Sequence, residues 1–225
     1  MRRFLSAAIA AVAALVAGLA TIPATAAATT WTVTPGGAFT NPIARHTRLQ
    51  DLTFGGQNYG CQTTKMTGTF HRGSGLANPI GQIATMSGPK ASSMVCALPG
   101  LAFLITFTHF PMNIRAGHYD PATGVTQGMI TGIHVKISTV PGQARCTGTI
   151  DGTGPNADNA RVPFTFTNTG GELDGELETG AAATGLTAYN VSGCGGRIHS
   201  GDAFSYQLIA FPRTAAGAAN TITSP

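Results

Sequence analysis

The chain has 225 residues and a formal net charge of +4, and 43% of it is hydrophobic while only 10% is charged. Thirteen Lys and Arg against nine Asp and Glu, scattered along the chain, exclude the clustered basic face that nucleic acid or an anionic membrane surface would require. With so few charges, solubility has to come from hydroxyls and turns.

In chain order, Arg2 and Arg3 precede an Ala/Val/Leu-rich run from Phe4 to Ile22, followed by Pro23 and the small triplet Ala24-Thr25-Ala26. That pattern predicts an export signal over residues 1–26, cleaved from a mature domain over 27–225. The run is almost long enough to span a bilayer, so a retained anchor is the alternative; its Ala content, Pro23 and the triplet favour cleavage. Secretion, either free or wall-associated, is the expected location. Without Arg2 and Arg3 the balance is 11 basic to 9 acidic residues.

After residue 26 no stretch sustains a helical apolar period, and short Thr/Val/Ile/Phe runs alternate with Gly, Pro, Asn and Asp. Strands are expected over 31–34, 48–54, 61–71, 81–87, 102–110, 113–119, 125–139, 144–152, 161–168, 172–179, 186–192 and 204–211. Two hairpins can be read in detail. "YDPATGV" at 119–125 sets a turn with Pro121 and a left-handed position with Gly124. Placing Gly170-Gly171 in a two-residue loop pairs Thr167 with Asp174 and Thr165 with Glu176, while Phe164 meets Leu177 and Phe166 covers Gly175 on the inward face.

Four cysteines, Cys61, Cys96, Cys146 and Cys194, form no Cys-x-x-Cys pair, and in an exported chain their even number argues for two disulfides. Three connectivities are open on the count alone. A repeat narrows them: "AFLITFTHFP" at 102–111 and "AFSYQLIAFP" at 203–212 share their ends and spacing, and each follows the order strand, turn, Cys, strand pair, Cys. Two divergent halves, 31–124 and 125–225, follow from that order, and equivalent bridges would then join Cys61 to Cys96 and Cys146 to Cys194. Loops of this length stabilise by about 3 to 4 kcal/mol each on a chain-entropy argument. Alternation along the repeated strands turns Phe103, Ile105, Phe107 and His109 to one side, and Phe204, Tyr206, Leu208 and Ala210 to the matching side.

A Trp-Thr-Val-Thr-Pro-Gly-Gly start at Trp31–Gly37, "YNVSGC" at Tyr189–Cys194 and the terminal Thr-Ile-Thr-Ser-Pro at Thr221–Pro225 resemble a group of secreted actinobacterial proteins of unknown function. The resemblance covers essentially the whole mature chain. It implies export and a β-fold, with no activity or site residue to carry over, and "PRTAAGAAN" at 212–220 looks peculiar to this member.

Chemistry-bearing clusters are sparse. The six histidines show neither His-Glu-x-x-His nor His-x-His spacing, and no Gly-x-Ser-x-Gly elbow occurs, so no catalytic, cofactor or metal residues are assigned. His109, inside an apolar run, is expected to pack half-buried. His118 with Asp120, and His199 with Ser200 and Asp202, place acid and base close in sequence, but neighbours on a strand face opposite ways; the second set is expected to form a turn. Asp151, Asn156, Asp158 and Asn159 make an oxygen-rich loop that departs from the EF-hand pattern, so Asx turns are favoured over calcium. Glu172, Asp174, Glu176 and Glu178, at period two, make an acidic ladder on one strand face, a weak candidate for a cation or basic partner and otherwise a charged edge.

The sequence therefore predicts one all-β domain, a sandwich or a barrel, built from two related halves and held by two disulfides. Its expected role is a non-catalytic structural or binding module with an envelope or protein partner. A secreted hydrolase and an envelope pore are the alternatives.

Overall fold

Hydroxyl residues alternating with apolar ones produce strands that bury one face and hydrate the other, and the computed structural model shows where those faces meet. It describes residues 29–41, 45–53, 56–62, 65–88, 93–175 and 185–225; the proposed signal segment lies outside them. Among the described residues the structure is all-β, and its strands join into a closed eight-stranded barrel with further strands. The sandwich alternative is thereby set aside.

Pairs of consecutive strands make long staves. The first stave is β2 (Gly37–Asn41) and β3 (Arg45–Asp51), after a short β1 (Trp31–Thr34). The second is β4 (Asn58–Cys61) and β5 (Lys65–Phe70). A short β6 (Gly73–Leu76) leads to the third, β7 (Gly81–Ser87) and β8 (Ser93–Leu98). The fourth is β9 (Leu101–Phe107) and β10 (Met112–Asp120), and the fifth β11 (Val125–Ile133) and β12 (Val135–Thr139). The sixth is β13 (Cys146–Asp151) and β14 (Ala160–Thr167), and the seventh β15 (Glu172–Gly175) and β16 (Leu186–Gly193). The eighth is β17 (Ala203–Ala210) and β18 (Arg213–Thr214), followed by β19 (Thr221–Thr223).

Every stave pairs antiparallel with the next in sequence, and the eighth returns to the first through β17·β3 and β18·β2. The result is an up-and-down barrel whose described strands close on themselves. Each chain reversal falls at an upper or a lower rim. Arg213 and Thr214 are the residues that close the lower ring.

Inward side chains fill the barrel. Phe107 and Tyr206 from the opposite fourth and eighth staves meet edge to face at 5.7 Å, and Phe70 and Phe166 from the second and sixth do so at 6.1 Å. Close packing is helped by glycine where a ring crosses a neighbouring strand: a Cβ on Gly128 would lie 2.6 Å from the Phe164 ring, and one on Gly68 2.5 Å from the Phe39 ring. Two small apolar cavities lie at mid-height, about 20 Å³ each, sharing Phe107, Ile133, Val162 and Tyr206. Spaces of that size and polarity stay dry.

Both rims are covered. At the lower one, β1 pairs with β6 and β19, burying Trp31, Val33 and Ile222. Asn168 holds β19 by accepting from the Ile222 N–H at 2.7 Å and donating to its carbonyl at 3.0 Å. At the upper rim, a single 3-10 turn at Cys194–Gly196 leads to the buried Ile198.

The disulfides join Cys61 to Cys96 and Cys146 to Cys194, as the repeat argument predicts. Phe103, Ile105, Phe107, Phe204, Tyr206, Leu208 and Ala210 are all buried, so the two expected inward faces hold. His109 departs from them. The fourth stave leaves its ladder after Phe107, and the His109 side chain stands 48% exposed on the outer wall. Other differences concern boundaries: 125–139 is two strands, 61–71 holds β5 and shares only Cys61 with β4, and β2, β6, β8, β18 and β19 lie outside the expected set. β8 was hidden because a Pro/Lys/Ser-containing segment precedes it and only Ser93–Leu98 carries its alternation.

The turn at 121–124 forms as read, with Gly124 at φ +69°. At the other hairpin both glycines take positive φ, but the register is two residues tighter at the strand ends: Thr167 pairs with Glu172, Thr165 with Asp174 and Phe166 with Leu173. The loop consumes four residues because Asn168 leaves the ladder to clasp Ile222. A shift by two preserves the faces, so Phe164 and Phe166 still point inward. Leu177 lies outside the described residues.

Candidate functional site

The mid-height interruptions of the fourth, fifth and sixth staves bring together the densest set of ionisable side chains on the outer wall. In the fifth stave, Gly132 at φ +80° marks a bulge between Thr131 and Ile133, after which Ile133 and Val135 face inward and His134 outward. The β12·β13 ladder pairs Val135 with Ile150, which puts Asp151 opposite His134 on the outer face. In the sixth stave the chain loops out over 152–159 and covers both, leaving His134 at 7% and Asp151 at 0% exposure. In the fourth stave, His109 follows Thr108, whose N–H donates to the His134 carbonyl at 3.2 Å.

The polar contacts are specific. Asp151 Oδ1 meets His134 Nδ1, and Asp151 Oδ2 accepts the Asn156 N–H at 2.8 Å. Asp158 Oδ1 meets His109 Nδ1 and stands 3.7 Å from His134 Nδ1. The two imidazoles stack with centroids 4.7 Å apart and planes at 22°. A carboxylate only accepts, so the Nδ1 of His134 is the donor toward Asp151. Among the described residues no Lys or Arg pairs with either carboxylate. Asn156 and Asp158 hold φ of +59° and +48°, a left-handed backbone that Asn and Asp tolerate best among side-chain-bearing residues.

The oxygen-rich loop therefore does not gather the oxygens expected for calcium. Asp151 turns inward to His134, Asp158 goes to His109, and Asn159 spends its amide on the Thr153 N–H and hydroxyl at 3.0 and 2.8 Å. The loop is braced by side-chain bonds that join residues five and six apart, Asp151 to Asn156 and Asn159 to Thr153, rather than by the Asx turns expected, while Asp151 and Asp158 serve histidines.

In the His199 set, Asp202 Oδ2 accepts the His199 N–H at 2.6 Å and lies 3.5 Å from His199 Nδ1, while Ser200 Oγ accepts the Val191 N–H at 2.9 Å, so this set makes a turn at the upper rim. Asp120 accepts from the Ala122 N–H and the Thr123 hydroxyl at the 121–124 turn; the hydroxyl first, then the N–H, lower its pKa below the usual carboxylate value. Glu172 and Asp174 lie outward on β15 opposite threonines, whereas Glu176 and Glu178 lie outside the described residues. A second buried group sits beneath the upper rim: Tyr59 donates to the Arg197 carbonyl at 3.1 Å, and burial, then Asp51 and Asp202, push its phenol pKa upward.

Below the mid-height cluster, the same three staves carry an open groove of about 280 Å³ on the outer wall, lined by Gly117, His118, Gln127, Met129, Pro163 and Thr165 among others. Gly117 is the extra residue of a bulge between Ala116 and His118. Sequence reasoning missed His134 because its partners lie on neighbouring staves, and only the register sets it against Asp151. No family model, curated protein or solved structure was found to match this chain.

Proposed function

We propose that the protein is an exported, non-catalytic binding module that uses the wall formed by its fourth, fifth and sixth staves. The observation that carries this reading is the gathering, on that one wall, of both the open groove and the His/Asp cluster, around an interior that is filled. Export is supported by the N-terminal pattern, by the resemblance to secreted actinobacterial proteins and by two disulfides, which suit an oxidising compartment. Among the described residues no helix is long and apolar enough to cross a membrane.

The filled interior weighs against the alternatives. A pore needs a polar lumen and an apolar outer band, whereas here the apolar residues face inward and both rims are covered. For a hydrolase, no Gly-x-Ser-x-Gly elbow presents a nucleophile, and Ser200 Oγ accepts the Val191 N–H within the rim turn.

The test pairs retention with turnover. Gln127→Arg and Thr165→Arg place charge in the groove without touching the core, and should abolish retention of the exported protein on a Gram-positive cell-wall fraction while leaving its melting temperature unchanged. Undiminished retention in both variants, turnover on a hydrolase panel that disappears in His199→Ala, or leakage from liposomes would each overturn the reading.

A further inference from the structure

We propose that His109, His134 and Asp158 bind one divalent first-row transition ion, of which Zn²⁺ is the representative, with Asp151 positioning His134. The inference stands on the mid-height cluster alone and does not depend on what the groove binds. One ligand atom from each of the three residues lies within 4.8 Å of the others. Ligand atoms of a tetrahedral zinc site, bound at about 2.0 to 2.2 Å, are about 3.3 Å apart, so closing this set needs side-chain movement on the order of 1 Å. His109 and Asp158 are 48% and 45% exposed and free to make that movement, while His134 and Asp151 are fixed by burial.

Charge points the same way. Two carboxylates meet the rings here, one of them fully buried, and no Lys or Arg among the described residues pairs with either, so a divalent cation would complement them. Asp151 meets Nδ1 of His134, the carboxylate–histidine arrangement that orients metal-binding imidazoles, so the ion would take Nε2 of that ring rather than the Nδ1 that stands 3.7 Å from Asp158.

The donor set selects the metal. Two imidazoles and a carboxylate suit Zn²⁺, Co²⁺ or Cu²⁺, whereas Ca²⁺ demands six or more oxygens, and the cysteines are all engaged in disulfides. Three protein ligands leave at least one position to solvent. The ion would tie the fourth, fifth and sixth staves together where each loses its backbone ladder.

Isothermal calorimetry of the untagged, metal-stripped exported chain with Zn²⁺ decides the question, with Co²⁺ as an absorbing substitute. One equivalent of Zn²⁺ should bind, Co²⁺ should give the visible band of a four- or five-coordinate ion, and Zn²⁺ should raise the melting temperature. His109→Ala and Asp158→Ala should each weaken Zn²⁺ at least tenfold while melting like the parent in chelator; His118→Ala, on the same wall, should bind as the parent does. Absence of saturable Zn²⁺ binding overturns the proposal, as does a loss below tenfold in both ligand variants, or displacement of the ion by millimolar Ca²⁺.

Discussion

The fourth and eighth staves stand on opposite sides of the barrel, and their upper strands are nearly the same text: Ala-Phe, six residues, Phe-Pro. Both bury alternate residues, and Phe103 and Phe204 both pack around Tyr59, at 5.2 and 6.5 Å between ring centroids. They part at the position two before the proline. In the eighth stave Ala210 remains in the ladder, opposite Leu173 and fully buried. In the fourth, the ladder stops at Phe107 and His109 swings to the outer wall beside Asp158. One architecture thus serves two ends: where the residue before Phe-Pro is small it continues the core, and where it is a histidine the interruption becomes a polar site. We propose that the two staves are equivalents in two divergent four-stave halves.

The largest expected effect tests the shared part of that comparison. Phe103→Ala and Phe204→Ala should each cost about 3 to 5 kcal/mol, the range for a fully buried Phe, in a single cooperative urea transition. Two transitions would mean that the halves unfold separately, and a negligible loss in either variant would break the equivalence. The bridges come next. Their loops span 35 and 48 residues, so replacing either Cys pair by Ala should cost about 4 kcal/mol on the chain-entropy account, with the two losses similar. A loss confined to one pair would show that the halves are not stapled alike.

What was legible in the sequence follows from how far each feature reaches along the chain. The inward faces of 102–107 and 203–210 could be read because alternation is local and both strands hold it to their ends. The bridge pairing could be read because the repeat supplied a long-range constraint that composition does not. The mid-height interruptions could not: 125–139 keeps its alternation on both sides of the Gly132 bulge, so one long strand and two short ones look alike. The His/Asp cluster was illegible for a stricter reason. His109, His134 and Asp151 lie on three staves, and their meeting depends on registers set by loops at 121–124 and 140–145 that carry no chemical sign of it.

The point of divergence can be probed by exchanging its residues. Ala210→His would force a larger polar ring into a filled core and should cost about 3 kcal/mol, combining overpacking with an unmet polar group. His109→Ala, half exposed and paired only at the surface, should cost under about 1 kcal/mol without metal. Denaturant midpoints measured in chelator compare them; similar losses would mean that His109 also has a core role.

The smallest effect concerns how each stave leaves the barrel. The eighth runs on to β19, which Asn168 secures, whereas the fourth turns at once into the fifth through 121–124, where Asp120 accepts the Thr123 hydroxyl at 2.7 Å and the Ala122 N–H at 2.9 Å. Those bonds favour the ionised carboxyl and lower its pKa in the folded protein. Its contribution to stability is therefore full above the ordinary carboxylate range and is lost as pH falls through the depressed value. Asp120→Asn should lower the urea midpoint slightly at neutral pH, and the difference from the parent should shrink as pH falls through the depressed value, where Asp120 becomes neutral like the Asn. Because solvent reaches the half-buried Asp120, the effect stays small, and it should weaken no further at high salt if hydrogen bonds rather than the His118 charge maintain it. A difference that persists unchanged at acid pH would mean that the turn is held by its backbone conformation, with Gly124 at φ +69° setting the junction between the fourth and fifth staves.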